Sequence, residues 1–529
     1  MTFDVIIAGA GPVGLMLAGE LRLAGVGALV LERLPEPSGE AKANGLVGQV
    51  VPMMDRRSLY ERLGGPPGAP QPNSAYFMFA SLPLDLSLLD HSPIYALAAP
   101  QSRQVEVLRD RALELGAEIR WSTELLGFEQ DENGVTVEVS DADGVHRLRA
   151  AYLVSAGGAH SVIRKMSGID FPGMHYDRTL TRIANANLPS EWIDPATGTL
   201  HVPGYGDIRP FLPFRTERGG FAYAPFPGRP PLLSTVEWDE AEPADPMGLD
   251  EMAASIARVL GVPLPLEPPT GDGPYALWRM VGGHTRVAER FRDRRIFLAG
   301  DAAHIFATGG GPGLNLGLQD ALNLGWKLAA AIKGEAPAGL LDSYDAERGR
   351  AARRTLLSAQ AQAALQAPGS DVTALREVFS ELLADHAAVQ RIADLLAGSD
   401  IRYDMGDPDP NPLVGRIAPD VELHIADRTV RLAELARTAR PLLIDLTEDG
   451  ELSDALPQQP GRVETVRARV DRATPAPTAL LLRPDTYVAW ATSMPHPDAA
   501  ELEALRAALT RWFGASDNAR VDEIFSGGV

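Results

Sequence analysis

The sequence predicts an α/β protein: a doubly wound sheet domain, an inserted antiparallel-sheet domain and a separate α/β tail. Three observations predict it. Short apolar runs alternate with helical stretches in the first third of the chain, and again from about residue 295 to 400. From about 175 to 284 helical periods fade, and apolar and polar residues alternate between Pro- and Gly-rich turns, as in an antiparallel sheet. Asp407-Pro-Asp-Pro-Asn-Pro412 reads as a linker that sets off residues 413–529.

The first element is Asp4-Val-Ile-Ile-Ala-Gly9-Ala-Gly11-Pro12-Val13-Gly14. Val5 to Ala8 reads as a buried parallel strand. A helix, Leu15 to Leu23, follows and is closed by Gly25. A second strand, Ala28 to Leu31, ends in Glu32 and Arg33. In such a turn Gly9 allows a tight bend, Gly11 a close approach to pyrophosphate, and Gly14 helix–strand packing. The helix start presents free N–H groups to phosphate. An acid about 20 residues on can accept bonds from a ribose diol. The order of strand, turn, helix, strand and acid predicts a Rossmann-like dinucleotide site; the motif leaves NAD and FAD open.

Composition bounds the rest. A chain of 529 residues holds two or three domains, and 45% hydrophobic content suits a full core. No run of about 18 apolar residues predicts a membrane span. A strand begins by residue 5, so no signal peptide is expected and a cytoplasmic location is. With no cysteine, disulfides, thiolate metal sites and a catalytic thiol are excluded. No metal site is predicted. The formal net charge of -21 disfavours nucleic acid and anionic membranes as partners.

Along the chain, Glu40-Ala-Lys42-Ala-Asn44-Gly45 follows the second strand. Lys42 reads equally as a pyrophosphate partner or a solvated surface lysine. Residues 64–74 read as a loop. Pro100-Gln101 opens a helix, Gln104 to Leu115. Strands are predicted at Ile119 to Trp121, Leu125 to Glu129, Val135 to Val139 and His146 to Arg149, with turns at Asn133-Gly134 and Asp143-Gly144. Another strand, Tyr152 to Ala156, runs into Gly157-Gly158-Ala-His160-Ser161-Val-Ile-Arg164. The insertion offers strands Phe211 to Phe214, Phe221 to Phe226 and Leu232 to Trp238. Phe211, Tyr223, Phe226 and Trp238, with Arg209 and Arg215, are candidates for an aromatic substrate pocket; core packing and surface exposure are the alternatives for each. A strand at Arg295 to Ala299 then meets Gly300-Asp301, His304 and the loop Gly309-Gly-Gly-Pro312-Gly313. A helix runs from about Leu314 to Ile332, and more helices occupy 338–400. In the tail, Arg440 to Leu446 reads as a strand, Ala479 to Leu482 and Tyr487 to Ala491 as a hairpin, and Asp498 to Phe513 as a helix.

Three separated motifs stand together: Gly9-x-Gly11-x-x-Gly14 with Glu32, the segment 154–164, and Gly300-Asp301 with Gly310-Gly-Pro-Gly313-Leu314-Asn315 and the run to Trp326-Lys327. Together they resemble the FAD-dependent aromatic hydroxylases of the p-hydroxybenzoate hydroxylase fold, and among these the actinobacterial polyketide-tailoring enzymes. The resemblance covers about residues 1–400. The tail resembles the thioredoxin-like domain such enzymes often carry; without cysteine it is assigned a packing or homodimerisation role. The implied domains are a discontinuous FAD-binding domain (1–174 and 285–406), a substrate domain (175–284) and the thioredoxin-like domain (413–529).

The resemblance implies non-covalent FAD in an extended form. Gly9, Gly11 and Gly14, with Pro12 and Val13, would meet the pyrophosphate. Glu32, with Arg33, would meet the adenosine ribose. Lys42 stands near the phosphates where the family usually has arginine. Gln101 would lie near the flavin or its ribityl chain, which Gly300 and Asp301 would hold. Pro312, Gly313, Leu314 and Asn315 would aim amides at the flavin ring, where reduced flavin is anionic. The implied activity is a monooxygenase. NADPH or NADH reduces FAD, and a C4a-(hydro)peroxyflavin hydroxylates, or Baeyer–Villiger oxidises, a polycyclic or aromatic polyketide-like substrate. No side-chain catalyst is nominated, and His304 reads as structural.

Two departures matter. The family's middle motif usually carries an aspartate where Gly157 stands, although Ser161 and Arg164 are kept. That carboxylate is associated with FAD and NAD(P)H. A proline pair beside the flavin is replaced by Ala307-Thr308. The loss at Gly157 supports an alternative: a redox-silent FAD-binding cyclase of the same fold, such as one forming decalins by [4+2] cycloaddition.

Overall fold

A computed structural model describes residues 2–38, 43–226, 228–271, 273, 275–307, 311–407, 410–448, 450, 452, 462–471 and 477–514. Strand Thr2–Ala8 forms the centre of the main sheet. It pairs in parallel with Ala28–Leu31 on one side and with Gly144–Ser155 on the other. Ile296–Leu298 and Glu118–Arg120 extend the parallel run at its two ends. Val5, Ile6 and Ile7 are wholly buried, as expected of a strand covered on both faces. Helix Pro12–Leu23 packs against helix Pro312–Ile332. The approach is close: a Cβ on Gly325 would lie 2.6 Å from Glu20 Cβ.

One expectation is corrected here. His146–Arg149 and Tyr152–Ala156 are not two strands but parts of one, Gly144–Ser155. Its first half pairs antiparallel with Val135–Asp141, its second half in parallel with Thr2–Ala8. Nothing in its sequence breaks it, because Ala150 and Ala151 fit either partner.

The middle of the chain forms a five-stranded antiparallel sheet in the order Phe214–Arg215, Gly220–Ala224, Leu232–Trp238, Thr179–Asn185, Leu277–Val281. Helix Leu249–Leu260 covers one face, burying Met252, Ile256, Val259 and Leu260. The expectation that helical texture fades throughout this region is wrong for this helix. Its signals were present: Asp250 and Glu251 in the first turn, Arg258 in the last, and Gly261 left-handed at the C-cap. The predicted strand Phe211 to Phe214 reduces to Phe214–Arg215, because Phe211 has φ +61° and cannot continue a strand.

Helices Asp342–Gln366, Ser370–Leu382 and His386–Ala397 lead to the tail. There Leu442–Asp445 pairs in parallel with Glu464–Arg467 and antiparallel with Ala479–Leu482, which pairs with Val488–Thr492. This 2-1-3-4 order, followed by helix Ala499–Phe513 capped by Asp498, is thioredoxin-like. Its core is continuous with that of the first sheet, so the tail packs as one body with it. Among the described residues no helix is long and apolar enough to cross a membrane.

Candidate flavin and substrate site

The glycine turn is shaped by contacts that only glycine permits. Gly9 has φ +113°, and a Cβ there would meet Ala156 O at 2.5 Å. A Cβ on Gly14 would lie 2.0 Å from Gly9 O. Helix Pro12–Leu23 therefore starts hard against the end of strand Thr2–Ala8, three residues earlier than its periodicity suggested. A Cβ on Gly11 would meet nothing within 4 Å, so the helix start has an open side where a phosphate can approach. Glu32 is half-buried at the end of the second strand. Its Oε2 accepts from Ala10 N at 2.8 Å and its Oε1 from Leu34 N at 3.0 Å. Each oxygen keeps a lone pair for a ribose hydroxyl. Arg33 is exposed at the rim. Lys42 lies outside the described residues.

The opposite wall is built from the second helix start. Gly300 has φ +61°, with Val13 Cγ2 2.9 Å from where its Cβ would be. A Cβ on Gly317 would lie 2.9 Å from Gly300 Cα. Val13, Gly300 and helix Pro312–Ile332 thus interlock. Asp301 lies beside the helix start, its Oδ1 3.6 Å from a Cβ placed on Gly313. Gly311 is left-handed, Pro312 begins the helix, and half-buried Gly313 and Leu314 complete its first turn. Asn315 is buried; it donates to Gly311 O at 3.2 Å and accepts from Val47 N at 3.1 Å. Gln101 joins through Ala43, whose O accepts from Gln101 N at 2.9 Å. Two helix starts and their glycines therefore converge on one cleft, and a dinucleotide fits this cradle.

Behind Gly300 lies a charged layer that sequence reasoning left unused. Asp320 Oδ2 accepts from Gly300 N at 3.0 Å and meets His304 Nε2 at 2.7 Å, while Oδ1 accepts from Arg348 Nε at 2.7 Å. Burial alone raises a carboxyl, but His304 and Arg348 outweigh it and hold Asp320 below its usual range. His304 is thus tied into the fold, as a structural residue.

The middle motif packs under the same cleft. Ser161 Oγ caps helix Val162–Met166 and meets Ser155 Oγ at 2.7 Å. Arg164 donates to Ala302 O and Ala159 O. Gly157 is exposed, has no positive φ, and a Cβ there would lie 3.6 Å from Ala8 O. The position therefore accepts a side chain. Nearby, His175 and His284 stack with centroids 4.5 Å apart. Partial burial, then Arg286, His175 and His160, push the His284 imidazole below its ordinary value. Arg286 is the fixed cation of this surface.

The aromatic candidates divide. Arg209 lines a cavity of about 610 Å³ between hairpin Tyr76–Asp85 and residues 205–214. Phe211 packs edge-on against Phe226, at 5.3 Å, and is half exposed. Tyr223 does not wall a pocket. It is wholly buried on the helix-covered face of the sheet, beside Leu233. Trp238 lies at the end of its strand on the opposite face, paired with Thr179. Arg215 is not in the cavity either; it ties the sheet to Ala367 O and Gly369 O. Sequence reasoning missed Trp278 and Met280. They share the uncovered face of the sheet with Thr181 and Ile183 and are 41% and 45% exposed. Their strand runs into Gly283, whose Cβ would sit 2.6 Å from Ala307 Cβ. A short apolar run, Leu277 to Val281 interrupted only by Arg279, just before Gly282-Gly283 was the available signal. The hairpin Tyr76–Asp85 was missed because its turn, Ala80-Ser81, uses two non-glycine residues at positive φ.

Known proteins share this architecture. Residues 2–359 match the family of FAD-binding domains, and residues 411–516 that of the aromatic-ring hydroxylase C-terminal domain. A 12-dehydrotetracycline 5-monooxygenase/anhydrotetracycline 6-monooxygenase of Streptomyces rimosus is 40% identical over 97% of this chain and 99% of its own. The solved anhydrotetracycline hydroxylase OxyS of Streptomyces rimosus superposes with a TM-score of 0.83 at 39% identity, covering 97% of this chain and 100% of that one. A dialkyldecalin synthase of Streptomyces rugosporus is 34% identical over 97% of this chain and 99% of its own. The chain belongs to the family of FAD-dependent aromatic-ring hydroxylases, the flavoprotein monooxygenases.

Proposed function

We propose that this flavoprotein monooxygenase hydroxylates a polycyclic aromatic polyketide, with NADPH or NADH as electron donor. The 610 Å³ cavity carries the reading. It lies within the range of pockets that enclose drug-sized ligands and is lined by Tyr76, Phe77, Tyr205 and Phe214 with one cation, Arg209, and two carboxylates, Asp85 and Asp207. Phe77 and Val47 pack on one apolar cluster, and Val47 N donates to Asn315, which supports a cavity neighbouring the proposed flavin site. The relatives that act on tetracycline precursors are consistent with such a substrate. FAD, when bound, supplies electron transfer and oxygen activation. The chain holds it between the two helix starts, orients the ring system against aromatic walls, and excludes water. Arg209 is suited to an enolate or phenolate on the substrate. Arg209→Ala is expected to raise KM about tenfold for anhydrotetracycline, with little change in FAD content; steady-state kinetics with that probe check it.

The surface of His160, His175, His284 and Arg286, with Arg286 as its fixed cation, is our candidate for the donor's phosphates. Gly157 favours a second reading, the redox-silent cyclase, which the similarity to a dialkyldecalin synthase accommodates. Anaerobic addition of NADPH, then NADH, with and without anhydrotetracycline decides between them. Bleaching of the flavin, followed on aeration by a product one oxygen atom heavier, supports the monooxygenase. An unbleached flavin under every condition supports the cyclase. A Cβ at Gly157 meets only an ordinary contact, Ala8 O at 3.6 Å, and Gly157→Asp is expected to speed reduction tenfold or more; an unchanged rate removes Gly157 from the explanation.

A further inference from the structure

We infer that Asp320 is a positioning residue for the flavin, and that it couples the thioredoxin-like tail to the cofactor cradle through Arg348 and Tyr403. The chain of contacts is continuous. Asp320 is wholly buried on helix Pro312–Ile332, two turns from the start that faces the cleft. Its two oxygens take three donors: Gly300 N, His304 Nε2 and Arg348 Nε. Arg348 is itself buried and uses its remaining arms on Leu316 O, at 2.9 Å, and Tyr403 OH, at 2.8 Å. Tyr403 stacks on Tyr487 of the tail, centroids 4.1 Å apart and nearly parallel.

An ion pair this deep adds little net stability over an apolar core. Its geometry has another use. Gly300 sits at φ +61° under Val13, and the next residue, Asp301, faces the helix start. The Gly300 amide of that turn is held from behind by Asp320, as Arg164 holds the Ala302 carbonyl. Arg348 fixes Asp320 and also grips the Leu316 carbonyl, so the turn and the first coil of the helix move together. Tyr403 completes the fork from the tail side. Loss of the carboxylate charge leaves Arg348 unbalanced and frees the Gly300 turn. The cradle then loses preorganisation, which is a cost to binding.

The inference rests on the flavoprotein reading, and the test separates the two. Full-length apoprotein is titrated with FAD by fluorescence quenching, and its thermal midpoint is measured without FAD. Wild-type apoprotein that binds no FAD sinks the flavoprotein reading. If wild type binds, Asp320→Asn is expected to bind FAD at least tenfold more weakly, and Tyr403→Phe about threefold more weakly. Arg57→Met is the control. It breaks a buried pair with Glu20, at 2.8 Å, and bonds to the tail at Ala436 O and Pro484 O, without touching the relay. Its loss of thermal midpoint should match or exceed that of Tyr403→Phe, with FAD affinity within twofold of wild type. Asp320→Asn and Tyr403→Phe affinities within twofold of that control overturn the inference. If Asp320→Asn does not fold, Tyr403→Phe decides by the same criterion, because it removes one hydroxyl and keeps the ring stack.

Discussion

Gly14→Ala is expected to yield a colourless protein whose FAD affinity has fallen at least a hundredfold, a change of about 2.7 kcal/mol. The added methyl would sit 2.0 Å from Gly9 O and 3.3 Å from Ala156 Cβ. Neither neighbour can yield. The Gly9 carbonyl belongs to a turn already pinned by Gly9 N donating to Leu31 O at 2.8 Å. Ala156 follows a strand buried in the sheet centre. The helix must therefore lift, and its N–H groups move away from the place proposed for the pyrophosphate. Gly19→Ala on the same helix is the matched comparison. Its Cβ would meet nothing within 4 Å, and exchanging an interior helical glycine for alanine favours the helix by roughly 1 kcal/mol. Gly19→Ala should keep its colour and melt slightly higher. Absorbance at the flavin band against protein concentration, with a melt of each variant, checks both. A yellow Gly14→Ala protein of wild-type affinity contradicts the assigned geometry.

The same contrast explains what could be read before any coordinates. Gly9, Gly11, Gly14 and Glu32 were legible because each answers a local requirement in a fixed order along one βα unit. The helix starting at Pro312 was legible from Gly313 and the apolar spacing beyond it. The tail was legible as a hairpin and closing helix, since Asp498 is a standard cap that accepts from Ala500 N and Glu501 N. The sheet faces were not legible. Period-2 alternation says that Tyr223 and Ala222 point opposite ways, but not which side helix Leu249–Leu260 covers. Tyr223 therefore looked like pocket wall and is core, whereas Trp278 and Met280 passed unnoticed. Partners distant in sequence were also invisible: Asp320, Arg348 and Tyr403 meet only in three dimensions, and each alone reads as a surface or packing residue.

The tail's attachment gives the other large effect: Arg483→Met is expected to destabilise the holoenzyme by about 3–5 kcal/mol in urea melts. Arg483 is wholly buried. It forks onto Glu347 at 2.6 and 2.8 Å and onto Asp485 through Nε at 3.0 Å. Lys327 meets Glu347 at 2.8 Å, and Asn323 donates to both carboxylates. Two cations and two carboxylates thus balance, with Trp512 and Trp326 4.5 and 5.3 Å from the guanidinium carbon. Methionine fills the volume but leaves two buried carboxylates facing one lysine. Burial alone would raise the Glu347 carboxyl, yet Arg483 and Lys327 hold it down to about 2. A carboxyl depressed from 4.5 to about 2 in the folded state adds stability that is full above pH 4.5 and lost as pH falls towards 2. Without Arg483 the Glu347 carboxyl rises, so the variant should lose its tail contacts at a distinctly higher pH than wild type. The double variant Arg483→Met/Asp485→Leu restores one cation to one carboxylate, Lys327 to Glu347. It should recover at least half of the lost stability, because the cost lies in the unpaired charge rather than in the missing contacts. A double variant as unstable as Arg483→Met would instead assign the loss to the aromatic stack around the guanidinium, and the acid midpoint would then stay at its wild-type value in both.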